Sequence, residues 1–221
     1  MNIGGKEITI YPAQTDNSPL VILHIFSDEG QQVYDALKKL TTVDFSLVTI
    51  GNLDWDKDMS PWAIPPIYKN DTPCSGGADE YLHLLLNDIL PQVLQSLSSA
   101  TKYVALAGYS LAGLFAIYVM YKTNLFARIA SASGSFWYPD FKEFVIANKP
   151  LKVPEKIYFS LGDKEAKTHN AFLKSVEENT RFLKNHFSQA GIKTTFELNV
   201  GNHFQDTTNR MAKGIAWILN D

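Results

Sequence analysis

Residues 103–122 read YVALAGYSLAGLFAIYVMYK. An apolar β-prone run breaks at Gly108, and a second apolar run, too long for one strand, begins after Ser110. The stretch therefore predicts a strand over 103–107 that turns sharply into a helix over 111–121. Gly108 to Ala112 fits the nucleophile elbow G-x-S-x-G, except that Ala112 stands at the last glycine position and Gly113 comes one residue late. The spacing has a mechanical reason. A serine at the apex of such a turn is held in a strained backbone conformation that pushes its oxygen outward, and small flanking residues let strand and helix approach. Serine also opens helices as a plain cap. Its position at a strand-to-helix junction favours the nucleophile.

Outward from this point the chain alternates short β-branched or aromatic runs with longer helical patterns. Strands are predicted at 7–11, 20–26, 45–50, 103–107, 127–133, 156–161 and 194–200, and helices at 31–40, 77–97, 111–121, 140–147, 169–190 and 207–219. In the segment 169–190, Phe172, Val176, Leu183 and Phe187 recur at helical steps and Gly191 follows as a stop. Most strands are apolar on both faces, which suits a mostly parallel central sheet with helices on both sides. One α/β domain spanning residues 1–221, without a separate large lid, is the expectation. In such folds the reactive groups gather beyond the C-terminal ends of the strands. The long stretch 53–77, LDWDKDMSPWAIPPIYKNDTPCSGG, is too rich in proline for a regular element and reads as an ordered rim around a pocket.

Composition narrows the classes further. The 221 residues are 45% hydrophobic and 19% charged with a net charge of −3, enough for one sizeable core. Lysine and arginine are dispersed, so no nucleic-acid or anionic-membrane partner is indicated. The single cysteine, Cys74, offers neither a disulfide nor a zinc pair and suits a reducing compartment. No apolar stretch resembles a signal peptide or a membrane span, which makes the cytoplasm the expected location. Nothing in the sequence speaks to oligomeric state. Asp54, Asp56 and Asp58 mimic the start of a calcium loop, but Met59 occupies its obligatory glycine position and Pro65 the place of its last ligand, so no metal is expected, and no cofactor motif occurs.

A serine needs an adjacent base, and that base needs a carboxylate to fix its tautomer. Of the five histidines, His24 lies inside an apolar strand and His83 in a helix, both before the serine. His169 and His186 fall on the long predicted helix. His203, in VGNHFQD directly after the last strand, sits in a turn that can carry an imidazole back over the sheet. The strand KIYFSL ends in GDKE, which offers Asp163 and Glu165 as the acid. Each could equally serve as a charge at the N-terminus of the next helix. Phe136 and Trp137 in SFWYPD, with Trp55 and Trp62 in the long loop, are candidates for the wall of an apolar pocket.

GYSLAGLFAIY, SGSFWYPD, SLGDKE, GNHF and SGGADEYLHLLLNDILPQV together cover most of the chain, and with them it resembles α/β-hydrolases of the esterase-D-like branch, near the siderophore-ester hydrolases. The resemblance implies an α/β-hydrolase fold and hydrolysis of a small-molecule carboxylic ester. It implies Glu165 as the acid, three residues after the glycine of a G-x-x-[DE] turn, with Asp163 the alternative. It also implies an oxyanion hole made by the backbone N–H of Leu111 and one just after LVILHIF, at Ser27 beside Asp28. Acyl transfer to an acceptor other than water, and a hydrolase scaffold that only binds, are the competing readings.

Overall fold

The computed structural model describes residues 1–97 and 100–220. Its strands are β1 (Asn2–Ile3), β2 (Lys6–Tyr11), β3 (Ser18–His24), β4 (Ser46–Gly51), β5 (Ala63–Ile64), β6 (Cys74–Ser75), β7 (Thr101–Tyr109), β8 (Phe126–Ala132), β9 (Lys156–Gly162) and β10 (Lys193–Asn199). The α-helices are α1 (Gly30–Leu40), α2 (Trp55–Asp58), α3 (Ala78–Leu84), α4 (Leu90–Ser96), α5 (Leu111–Tyr118), α6 (Phe141–Ala147), α7 (Val176–Gln189) and α8 (Thr207–Leu219). Eight strands form one sheet in the order β1-β2-β4-β3-β7-β8-β9-β10. Only the β1–β2 and β2–β4 pairs are antiparallel, and every pair from β4 to β10 is parallel. This is the mostly parallel sheet expected.

Strands β3, β4, β8 and β9 are buried along their whole length, because helices cover both faces. Side chains alternate between the two layers. Val21 and Leu23 meet Val33 and Leu37 of α1 and Met211 and Ile215 of α8, whereas Leu20 and Ile22 meet the cluster that holds Leu85, Phe115, Leu183 and Phe187. Strand β10 closes one edge and is only half-buried, with Lys193, Thr194, Thr195 and Glu197 interrupting its apolar residues.

Three expectations need correction. The helix over 77–97 is interrupted by a π-turn at Leu85–Ile89, where the Leu90 N–H reaches back to the Leu85 carbonyl. Pro91 follows at once, and since it lacks an N–H the helix restarts there instead of running through. The helix over 169–190 begins at Val176 after a 3₁₀ turn, because the Asn170 Oδ1 accepts the N–H groups of Phe172 at 3.0 Å and Leu173 at 3.2 Å and holds the chain in a turn. Phe172 is consequently exposed, and the buried stripe is Val176, Thr180, Leu183 and Phe187. The loop 53–77 does contain regular structure, namely α2 and the antiparallel ribbon β5–β6. Asp58 anchors α2 through an ion pair with Lys6 and by accepting the Asp54 N–H at 2.9 Å. No helix among the described residues is long and apolar enough to cross a membrane.

His24 is buried at the end of β3, with Nε2 2.8 Å from the Tyr81 hydroxyl and its ring edge-on to Phe115. Burial pushes this imidazole down to about 3. Below its ordinary value of 6.5 the unfolded chain takes up a proton that the folded chain refuses, so stability present above pH 6.5 is lost as pH falls toward 3. The melting temperature should therefore drop across that window, and His24→Gln, which does not titrate, should flatten the drop. Equal slopes for the two proteins would assign the acid sensitivity elsewhere.

Candidate active site

Strand β3 lies between β4, which follows it in sequence, and β7, to which the chain crosses back after β4, so the crevice above the C-terminal ends of β3 and β7 is the topological switch point of the sheet. Ser110 stands there, between β7 and α5, with φ 56° and ψ −124°. That left-handed backbone is costly for a residue with a Cβ and is held by its surroundings. The Ser110 N–H donates to the Ala132 carbonyl at 3.1 Å, and the Ser135 N–H donates to the Ser110 carbonyl at 3.1 Å. Gly108 must be glycine, since a Cβ there would lie 2.3 Å from the Ala112 carbonyl oxygen. The methyl of Ala112 itself is fully buried and accommodated.

The last two parallel strands deliver the partners. His203 follows β10 in a turn stapled by Asn202, whose Oδ1 accepts the Phe204 N–H at 2.9 Å, and its Nε2 lies 3.0 Å from the Ser110 Oγ. Glu165 follows β9, with Oε2 2.7 Å from the His203 Nδ1. Its other oxygen, Oε1, accepts from the Gly162 N–H at 2.6 Å and the Ser133 hydroxyl at 2.8 Å. Burial works to raise the Glu165 carboxyl, but the hydrogen bond and charge of His203, together with Gly162 and Ser133, outweigh it and hold the group below the usual carboxylate range. An ionised carboxylate can only accept, so Nδ1 carries the proton and Nε2 presents its lone pair to the serine. Asp163 points elsewhere: its Oδ1 accepts the Gly201 N–H at 2.7 Å and steadies the turn ahead of His203.

Leu111 is the first residue of α5, where an N–H has no partner within the helix. The amide of Ser27 is engaged. Glu29, at the start of α1, accepts the Phe26 N–H on Oε1 and the Ser27 N–H on Oε2, both at 2.8 Å, and the Ser27 hydroxyl at 3.0 Å.

Two clefts meet at Ser110 and His203. One, of about 490 Å³, has Leu23, Val33 and Met211 as its floor and Phe26, Trp55 and Phe204 at its mouth. The other, of about 560 Å³, runs under the 53–77 loop past Trp55, Pro65, Tyr68, Leu111 and Trp137. Of the four aromatic residues expected at a pocket wall, Trp55 and Trp137 line these two clefts, whereas Phe136 and Trp62 do not. Phe136 is a core residue packed edge-on against Phe159, and Trp62 stacks on Phe141 and gives its indole N–H to the Pro139 carbonyl at 3.2 Å. Both rings find more apolar surface under α6 than at a solvated rim. Cys74 lines the second cleft, but burial, then Asp56, pushes its thiol up to about 11, so it presents no thiolate beside the serine.

Residues 20–207 match the family model described as "Putative esterase". The chain belongs to that family and is by class a carboxylic-ester hydrolase with an α/β-hydrolase fold. The uncharacterized protein YbbA of Bacillus subtilis (strain 168) is 20% identical over 200 residues, covering 85% of this chain and 80% of that protein. Among solved structures, the BES protein from Bacillus cereus superposes with a TM-score of 0.78 at 18% identity, covering 98% of this chain and 91% of that one. The siderophore hydrolase EstA from Aspergillus nidulans gives 0.76 at 18% identity over 97% and 90%.

The sequence reading missed Ser133, Tyr109, Glu29 and Arg210, all of which touch the predicted residues or their backbone. Ser133 is the last residue of the strand predicted over 127–133 and opens the quoted SGSFWYPD segment, where a search of strand ends could have found it. Arg210 carried no signal, because a charged residue in an amphipathic helix pattern reads as solvated.

Proposed function

We propose that this chain hydrolyses small carboxylic esters through an acyl-enzyme formed on Ser110. The hydroxyl of Ser110 attacks the ester carbonyl while the His203 Nε2 takes its proton, and Glu165 holds the imidazole in the required tautomer and balances the imidazolium. The carbonyl oxygen, now anionic, receives the Leu111 N–H and the Ser27 N–H. Ser27 serves only once its amide is released by Glu29, so the incoming oxyanion replaces a carboxylate in the same role. His203 then gives its proton to the alkoxide, the alcohol departs, and the same nitrogen activates water to free the acid and restore Ser110.

The observation that carries this reading is the unbroken run of contacts from Oγ to Nε2 at 3.0 Å and from Nδ1 to Oε2 at 2.7 Å, at a residue with left-handed backbone. The two clefts supply room for the acyl and alcohol halves of an ester. Neither is lined by lysine or arginine, while Asp28 and Glu29 line the first and Asp56, Asp71 and Glu165 the second, which suits uncharged or cationic esters better than anionic ones. The similarity to EstA, a siderophore hydrolase, supports a small-molecule guest.

A fluorophosphonate should label the protein once, on the peptide that holds Ser110, and block release of p-nitrophenol from a short p-nitrophenyl ester. A protein inert to the reagent would favour a binding scaffold instead. The meeting of two clefts at one serine also admits acyl transfer, with the second cleft holding an acceptor. Products formed in the presence of an added alcohol separate the two, since hydrolysis yields the free acid alone.

A further inference from the structure

Arg210 lies on the first turn of α8 with 1% of its surface exposed, which makes it the largest fully buried side chain among the described residues. Its guanidinium does not face solvent or a surface carboxylate. The Nη1 donates to the Glu165 Oε1 at 3.3 Å and to the Tyr109 hydroxyl at 3.1 Å, and lies 3.5 Å from the Ser133 Oγ. The Nη2 donates to the Val200 carbonyl at 3.1 Å. Tyr109, whose phenol burial keeps protonated, in turn donates to the His203 carbonyl at 2.8 Å. One side chain therefore ties together the acid after β9, the last residue of β7 beside Ser110, and both ends of the turn that carries His203. The backbone makes room for it: a Cβ on Gly162 would sit 3.0 Å from both the Arg210 Nη1 and the Glu165 Oε1.

Stability alone does not explain an arginine here. Burying a guanidinium costs several kcal/mol that its ion pair at best offsets, and an apolar side chain of like size usually packs as well or better. The Nε finds no partner among the described residues, so even its hydrogen bonding is incomplete. What the arginine supplies and a methionine would not is a fixed fork and a charge beside the carboxylate. With Oε1 taken by Gly162, Ser133 and Arg210, only Oε2 remains for the imidazole.

We propose that Arg210 is a positioning residue: its fork locks Glu165 and the His203 turn in register with Ser110, and its charge stands against that of Glu165 on the side away from the imidazole. The inference rests on the serine-hydrolase reading above. The charged and titratable groups around the imidazole are Glu165 on its Nδ1 side, Arg210 behind that carboxylate, Tyr109 against the ring, Asp163 at the preceding turn, Asp28 and Glu29 across the first cleft, and Asp56 and Asp71 across the second.

The test is the pH profile of kcat/KM for a neutral p-nitrophenyl ester, with rates expressed per site titrated by fluorophosphonate. For Arg210→Met, kcat should fall about 10- to 100-fold with KM little changed, and the acid limb should move up by about half a pH unit or more. Arg210→Lys should return the limb toward wild type but not kcat, since charge returns without the fork. Tyr109→Phe, a milder change that leaves the charge in place, should lower kcat and leave the limb where it is. A merely structural arginine would reduce the number of titrated sites without moving the limb. Active wild type with an unmoved limb in both Arg210 variants, or with unchanged kcat in Tyr109→Phe, would overturn this role alone; wild type that neither labels nor hydrolyses overturns the hydrolase reading beneath it.

Discussion

Ser110→Ala is expected to lower kcat/KM for a short p-nitrophenyl ester by about 10⁴-fold or more and to abolish labelling by a fluorophosphonate. The residue that remains keeps a Cβ in the same left-handed backbone, so its melting temperature should stay close to that of the wild type. Ser110→Gly should be equally inactive yet more stable, by about 1 kcal/mol, because glycine takes φ 56° without strain. Inactivity combined with stabilisation is the signature of strain kept for chemistry rather than for folding. Activity within tenfold of wild type in either variant would refute a nucleophilic Ser110. A loss of stability in the glycine variant would refute only the account of the strain.

The backbone plan was legible because its causes are local and periodic. Strands buried on both faces must read as apolar runs, and the helices between them must show one apolar stripe, so 103–122 and the segments around it declare themselves. Ser110, His203 and the pair Asp163 and Glu165 could be singled out because each falls just after a parallel strand, where topology alone brings distant residues together, whereas the preference for Glu165 within that pair came from the family resemblance. What sequence did not carry depends on which side chain wins a competition for a partner. Phe136 and Trp62 look like Trp137 and Trp55 in composition, but only packing under α6 tells which pair is left at the rim. The Ser27 amide looked free because nothing in FSDEG announces that Glu29 folds back on it. Arg210 is the extreme case, since its burial is tolerable only because Glu165, arriving from a segment far away in the chain, is already there to receive it.

The choice between the two carboxylates of GDKE has the other large consequence. Glu165→Gln keeps the shape of the side chain but replaces the ionised acceptor facing Nδ1 with an amide whose NH₂ can hold the imidazole in the opposite tautomer, with the proton on Nε2. A serine then faces a donor instead of a base, and the expected loss in kcat is about 10³- to 10⁴-fold with KM little altered, by the precedent of the serine-protease triad. The amide also meets the Gly162 N–H, the Ser133 hydroxyl and Arg210 on its other side, leaving a buried guanidinium without its counter-charge, so stability should fall as well. Asp163→Asn keeps an oxygen for the Gly201 N–H and touches neither ring nitrogen, so it should cost less than about tenfold in kcat and about 1 kcal/mol in stability. Measuring both variants per titrated serine separates lost chemistry from lost folding. If the asparagine variant is the dead one, the carboxylate that orients His203 in solution is Asp163, and the turn after β9 must rearrange to deliver it. If neither variant loses more than tenfold, the imidazole works without a carboxylate, and the buried Glu165–Arg210 pair is there to hold the turn in place.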